Sequence, residues 1–159
     1  MSAEPSASQP PASEQVGITR LAGDPPSPWE GAFGYSRVVS VGPWVLIGGT
    51  TSVDPSGCVV GSTPYEQTVE IFRKLLHELA RTGLSAADVV QTRMYVTDIS
   101  RSEEVGRAHG HVFGSVDSDD SGELREAATP TGPVTSMLEV ASLIDPRMLV
   151  EIELVAYRT

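Results

Sequence analysis

Two spacings of apolar residues organise this chain. Between Thr63 and Gly83, Tyr65, Val69, Phe72, Leu76 and Leu79 recur at intervals of three and four, and Glu66, Glu70, Arg73, Lys74, Glu78 and Arg81 form the polar remainder. That period predicts an amphipathic helix. Thr63-Pro64-Tyr65-Glu66 marks its start, with an N-cap, a proline in the first turn and a capping-box glutamate, and Gly83 marks its end. Between Met148 and Tyr157 the period falls to two. Val150, Ile152, Leu154 and Ala156 alternate with Glu151, Glu153 and Tyr157, which predicts a strand with one face on a core.

The remaining elements follow from β-forming runs and turn residues. Tyr35–Val41 and Trp44–Ile47 read as strands joined in a hairpin by Gly42-Pro43. Asp54-Pro55-Ser56-Gly57 is a turn, followed by a short strand at Cys58–Val60. Val89–Thr97 is a strand, and Ser100-Arg101-Ser102-Glu103 reads as a capping box opening a helix to about Phe113, with Val105, Ala108 and Val112 inward. Val134–Val140 is a further strand before the Asp145-Pro146 turn. This order predicts an α+β fold with two strand–helix–strand crossovers. Right-handed crossovers put both helices on one face of a single sheet. The other face then meets solvent or another subunit, and an oligomer with clefts between subunits is expected.

Composition narrows this picture. The 159 residues, 40% of them hydrophobic, suit one domain with a real core. A single cysteine, Cys58, can form no disulfide within the chain, and no apolar run has the length of a membrane span. With no secretory signal visible, a cytoplasmic protein with no membrane partner is expected. Residues 1–28 are rich in Pro and Ser and read as a flexible tail ahead of a domain at 29–159, which carries an acidic insertion at 117–132. The net charge of -10 sits mostly in those two stretches and argues against nucleic acid as a partner. His109 and His111 lie two apart on a helix and point apart, and no phosphate-binding glycine loop precedes a helix, so no metal and no cofactor are expected.

Several short segments, taken in order, carry a resemblance. They are Gly34-Tyr35-Ser36, Ile47-Gly48-Gly49-Thr50, Asp54-Pro55-Ser56-Gly57, Asp88–Thr92 leading to Val96-Thr97-Asp98, Ser136–Val140 and Leu149–Glu153. Over about residues 33–158 the chain resembles the RidA (YjgF) family. That resemblance implies a chorismate-mutase-like fold, a homotrimer, and small-molecule clefts between subunits. It also implies hydrolysis of enamine or imine intermediates to 2-keto acids and ammonia. The family's hallmark arginine, which grips a substrate carboxylate, precedes the serine of the penultimate strand. Here Thr135 stands in that place, and a neutral hydroxyl supplies neither charge nor fork. Gly48 and Gly106 also replace the family's usual Ser and Asn.

On the same resemblance Glu151 takes the place of the carboxylate that handles the attacking water, and is the candidate catalytic residue. Tyr35, Gly49, Thr50, Arg93, Thr135 and Met137 are the candidate ligand-binding residues. Arg37 and Arg93, the two arginines on central strands, either restore an anion contact or form surface ion pairs. Two functions stand. One is an enzyme on an imine, enamine or other carbonyl-derived substrate, of hydrolase, cyclase or isomerase type as in secondary-metabolite tailoring, without standard 2-aminoacrylate deamination. The other is a catalytically silent ligand-binding trimer. Nuclease activity, a label sometimes attached to the family, fits the acidic chain least.

Overall fold

A computed structural model describes residues 16–114 and 132–159. Its elements, in chain order, are β1 (Ile18–Leu21), α1 (Pro28–Phe33), β2 (Val38–Val41), β3 (Trp44–Thr50), α2 (Pro64–Ala80), β4 (Val89–Val96), α3 (Ser102–Phe113), β5 (Val134–Glu139) and β6 (Val150–Tyr157). The strands form one mixed sheet in the order β1-β2-β3-β6-β4-β5. β6 is antiparallel to both β3 and β4, and β5 runs parallel to β4. The helices α2 and α3 are the two crossovers, as the α+β reading with a single sheet expects, and they pack on each other.

The alternation along β6 works as predicted: Val150, Ile152, Leu154 and Ala156 are buried, and join Val38, Val45, Ile47, Met94 and Val96 under the helices. The helix α2 is rotated from its expected face. Its buried stripe is Thr68, Ile71, Phe72, Leu75 and Leu79, whereas Val69 is 45% exposed. Two overlapping sets of positions share the same period, and the sheet takes the one holding Ile71 and Leu75. Thr68 can sit in that stripe because its hydroxyl donates to the Pro64 carbonyl at 2.7 Å. Two polar side chains on α2 are buried for specific reasons. The Gln67 amide donates to the carbonyls of Gly61 and Arg147 and accepts from Leu149 N–H. Glu78, expected on the solvated face, accepts from Asp24 N–H and pairs with Arg81.

The structure corrects four further expectations. The tail ends well before residue 28. Ile18–Leu21 pairs antiparallel with Val38–Val41, an edge strand whose hydrogen bonds come from its neighbour rather than from a core of its own. Ser27 caps α1 in a full capping box with Glu30, so Pro28 begins a helix rather than closing a tail. Tyr35 consequently does not open a strand. It leaves the C-cap of α1, where Gly34 takes a left-handed φ of 71°, and β2 starts only at Val38. Around Cys58–Val60 there is a single bridge, Val53 to Val59, in place of a strand. Before α3 the cap belongs to Asp98, whose carboxylate accepts from Ser100 N–H and initiates a short 3-10 turn over Ile99–Arg101. Residues 1–15 of the tail, and the acidic stretch at 117–132 apart from Gly132, lie outside the described residues. Among the described residues no helix is long and apolar enough to cross a membrane.

Candidate functional site

The face of the sheet turned away from the helices carries the polar side chains of β6. Glu151 lies opposite Tyr95 of β4, and Glu153 opposite Arg93. On the other flank β3 meets β6 with a register shift between Ile47 and Thr50, so Gly48 and Gly49 depart from the regular ladder. Glu151 fills the space this opens. A Cβ placed on Gly49 would overlap Glu151 Oε1 and come within 3.0 Å of its carboxyl carbon. Glycine at 49 is therefore a condition for the carboxyl to rest on the strand.

Arg37 braces the same bend. Its Nη1 donates to the Gly49 carbonyl at 2.7 Å and to Thr50 Oγ1 at 3.3 Å, and Thr50 Oγ1 in turn donates to the Gly48 carbonyl at 2.9 Å. The Arg37 guanidinium carbon stands 5.8 Å from the centre of the Tyr35 ring. Its Nε is 3.9 Å from Glu30 Oε1. Glu30 is itself buried and accepts from the N–H groups of Gly23 and Ser27. Below Arg37, Lys74 Nζ donates to the carbonyls of Thr51 and Val53 at 2.8 and 2.6 Å. Burial first, and then the Arg37 charge, pull the Lys74 ammonium below its ordinary range.

These surroundings set the chemistry of Glu151. Partial burial pushes its carboxyl above the ordinary range, the positive charge of Arg37 opposes that rise, and Glu153 adds to it. A half-buried carboxyl with raised proton affinity is suited to take a proton and return it. Tyr95, next along the same face, has its hydroxyl pushed up by burial and by the Glu153 charge.

The expected residues divide into three groups. Tyr35, Gly49, Thr50 and Glu151 come together, with Arg37 joining them. Arg93 lies on the same face but is occupied, donating to Glu153 Oε1 at 2.9 Å. Thr135 and Met137 are elsewhere, on the helix side of the edge strand β5. Thr135 Oγ1 accepts from Thr92 Oγ1 at 2.9 Å, and Thr92 is fully buried. Met137 lies opposite buried Met94 and packs on the core. Within one chain, then, these two do not share a cleft with Glu151.

Sequence reasoning missed several participants. It left Arg37 as one of two equal candidates, it placed Lys74 only on the polar face of a helix, and it did not name Glu30 or the His109–Thr92 contact. His109 Nε2 lies 3.1 Å from Thr92 Oγ1, and its ring touches those of Phe72 and Phe113, which also touch each other. Burial lowers its proton affinity, so it is neutral at pH 7. A polar histidine one turn before Phe113 on a predicted inward face was the available signal. Among the described residues no three His, Cys, Asp or Glu side chains are grouped to hold a metal. A concavity lined by Val59, Gly61, Gln67, Arg147 and Leu149 holds none of the expected site residues.

Known proteins are similar to this chain in sequence and in fold. The sequence model of the family described as endoribonuclease L-PSP matches residues 27–158. The uncharacterised protein SCO2049 of Streptomyces coelicolor is 36% identical over 132 residues, covering 83% of this chain and 87% of that protein. The crystal structure of Rv2704 from Mycobacterium tuberculosis, described as a member of the YjgF/YER057c/UK114 family, is 40% identical. It superposes with a TM-score of 0.70 over 89% of this chain and 99% of that one. Yeast Mmf1, at 20% identity and a TM-score of 0.70 over 90% of this chain and all of that one, shares the fold.

Proposed function

The chain belongs to the RidA (YjgF) family, and from that premise we propose that it is an enzyme acting on a small imine, enamine or other carbonyl-derived substrate, with Glu151 as its acid/base. The observation that supports this most is the seating of the Glu151 carboxyl. It packs on the Gly49 backbone, its affinity for a proton is raised by burial, and a guanidinium stands nearby. In the hydrolysis of a protonated imine, Glu151 takes a proton from water as the water oxygen bonds to the imine carbon, and it returns that proton to the carbinolamine nitrogen. The carbon–nitrogen bond then breaks with its electron pair leaving on ammonia, and the hydroxyl gives its proton to Glu151 as the carbonyl forms. Tyr35 and Thr50 act through Arg37, which holds the Gly49 bend beneath the carboxyl. We take the clefts to lie between subunits of a homotrimer, where the Glu151 face of one chain meets a neighbouring chain.

Thr135 gives no fixed cation, and its oxygen already accepts a hydrogen bond from Thr92. Substrates bearing an amino-acid-like carboxylate are therefore disfavoured, and 2-aminoacrylate deamination is expected to be negligible beside that of an arginine-bearing relative. The test is ammonia release from small imines generated in situ, with and without a carboxylate. The expected result is turnover of the uncharged imines, with a loss of about 100-fold or more in Glu151→Gln. Full turnover in Glu151→Gln would remove Glu151 from the chemistry. It would leave the second reading, a binding trimer without catalysis.

A further inference from the structure

Glu151 and Glu153 sit two residues apart on one face of β6, and each has an arginine nearby, Arg37 from the turn before β2 and Arg93 from β4. The two arginines act differently. Arg93 of β4 makes a direct contact with Glu153 and so spends its charge there. Arg37 makes no hydrogen bond or ion pair with Glu151 among the described residues, yet its charge acts on that carboxyl. Its bonds go to neutral acceptors instead, the Gly49 carbonyl and the Thr50 hydroxyl. Glu30, the carboxylate closest to it, stands 3.9 Å off and is already engaged by the N–H groups of Gly23 and Ser27. The guanidinium is 18% exposed, so solvent screens it weakly.

We propose that Arg37 is a positioning residue for Glu151: it clamps the backbone bend on which the carboxyl rests, and it holds a positive charge near that carboxyl without bonding to it. This deepens the reading of Glu151 as acid/base and rests on it for its meaning in catalysis. A cation in direct contact with the Glu151 carboxyl would favour its ionised form and work against its acting as an acid. Burial with no cation nearby would hold the carboxyl protonated and useless as a base. A cation held at a distance by backbone carbonyls leaves both states accessible. Every charged or titratable group facing Glu151 enters this balance. Glu153 on β6 opposes ionisation, and on β4 Arg93 contacts Glu153 while Tyr95 feels the charges of both carboxylates. Tyr35 stacks on Arg37, Lys74 of α2 adds a second, partly buried positive charge on the carbonyls of Thr51 and Val53, and Glu30 of α1 takes part of the Arg37 charge.

The experiment follows the Glu151 carboxyl directly, by 13C NMR titration of the full chain labelled at glutamate, with Glu151→Gln identifying the resonance. Wild type, Arg37→Gln and Arg37→Lys are compared, and circular dichroism verifies that each is folded. The expected result is a Glu151 midpoint that moves up in Arg37→Gln and returns toward wild type in Arg37→Lys, which keeps the charge and loses the fork. An unmoved midpoint in Arg37→Gln overturns the proposal. Equal shifts in the Gln and Lys variants overturn it as well, because then the clamp alone, and not the charge, governs the carboxyl. The titration needs no substrate, so its outcome is separate from whether Glu151→Gln abolishes turnover. Where turnover is measured, the acid limb of the pH profile is expected to follow the same order among the three proteins.

Discussion

The Glu151 carboxyl occupies the volume that any side chain at Gly49 would need. A Cβ on Gly49 would meet Glu151 Oε1, the far end of a flexible side chain, rather than rigid backbone. Gly49→Ala is therefore expected to fold, with the carboxyl swung off the strand and away from Arg37. The expected outcome is a loss of turnover close to that of Glu151→Gln with a melting temperature within a few degrees of wild type. Steady-state kinetics and a thermal melt on the same sample test this.

Burial of Glu151 also leaves a mark on stability that needs no substrate. Its proton affinity is higher folded than unfolded, so the folded chain binds more protons there. The protonated form's contribution is complete below the unfolded value of 4.5 and is lost as pH rises through the folded one. Glu151→Gln, which cannot ionise, is expected to melt higher than wild type at pH 7 and equally below about pH 4. A Gln variant that melts lower at pH 7 would mean the ionised carboxylate is held by partners rather than penalised by burial.

Much of this arrangement was legible in the sequence because it depends on local pattern. The period of β6 separates Glu151 and Glu153 from Val150, Ile152 and Leu154, and the capping box at Thr63 marks the start of α2. What was not legible depends on contacts between distant segments. Ile18–Leu21 has no core of its own and becomes a strand through pairing with β2. The choice between Arg37 and Arg93 follows from register. Arg93 lies directly across from Glu153, whereas Arg37 precedes β2 and reaches the irregular Gly49 bend. The placing of Thr135 is of the same kind, since the strand pattern of Val134–Glu139 does not say which face the helices cover.

Two buried hydroxyls give predictions of opposite sign. Thr92 is fully buried and joins His109 Nε2 to Thr135 Oγ1. Thr92→Val keeps the shape but leaves the imidazole nitrogen without its partner, at an expected cost of about 1–3 kcal/mol. Ser52 is also fully buried, and its Oγ has no hydrogen-bond partner among the described residues. Ser52→Ala removes an unpaired polar atom and is expected to be neutral or stabilising by up to about 1 kcal/mol. Urea unfolding of both variants at pH 7 tests the pair. A large loss in Ser52→Ala would reveal a partner for that hydroxyl.

The sheet face opposite the helices argues for assembly. Alongside the carboxylates it exposes Trp44, Leu46, Val90, Leu138 and Tyr157, with Trp44 and Tyr157 in edge contact at 4.9 Å. Apolar residues grouped on one side of a small domain mark an interaction surface, and a sheet face shared around a closed ring of identical chains buries them all. A homotrimer is accordingly expected, with a mass by light scattering near three times that of the 16.9 kDa chain. Leu46, 42% exposed in the single chain and opposite Val39 of β2, gives a direct probe. A glutamate there stays solvated in a lone chain and costs little. In a trimer it places a charge in each interface, so Leu46→Glu is expected to yield folded monomers. Turnover should fall with the mass if the cleft needs two chains. A Leu46→Glu protein that keeps wild-type mass would put the interface elsewhere, and a monomeric variant with full activity would put the whole site within one chain.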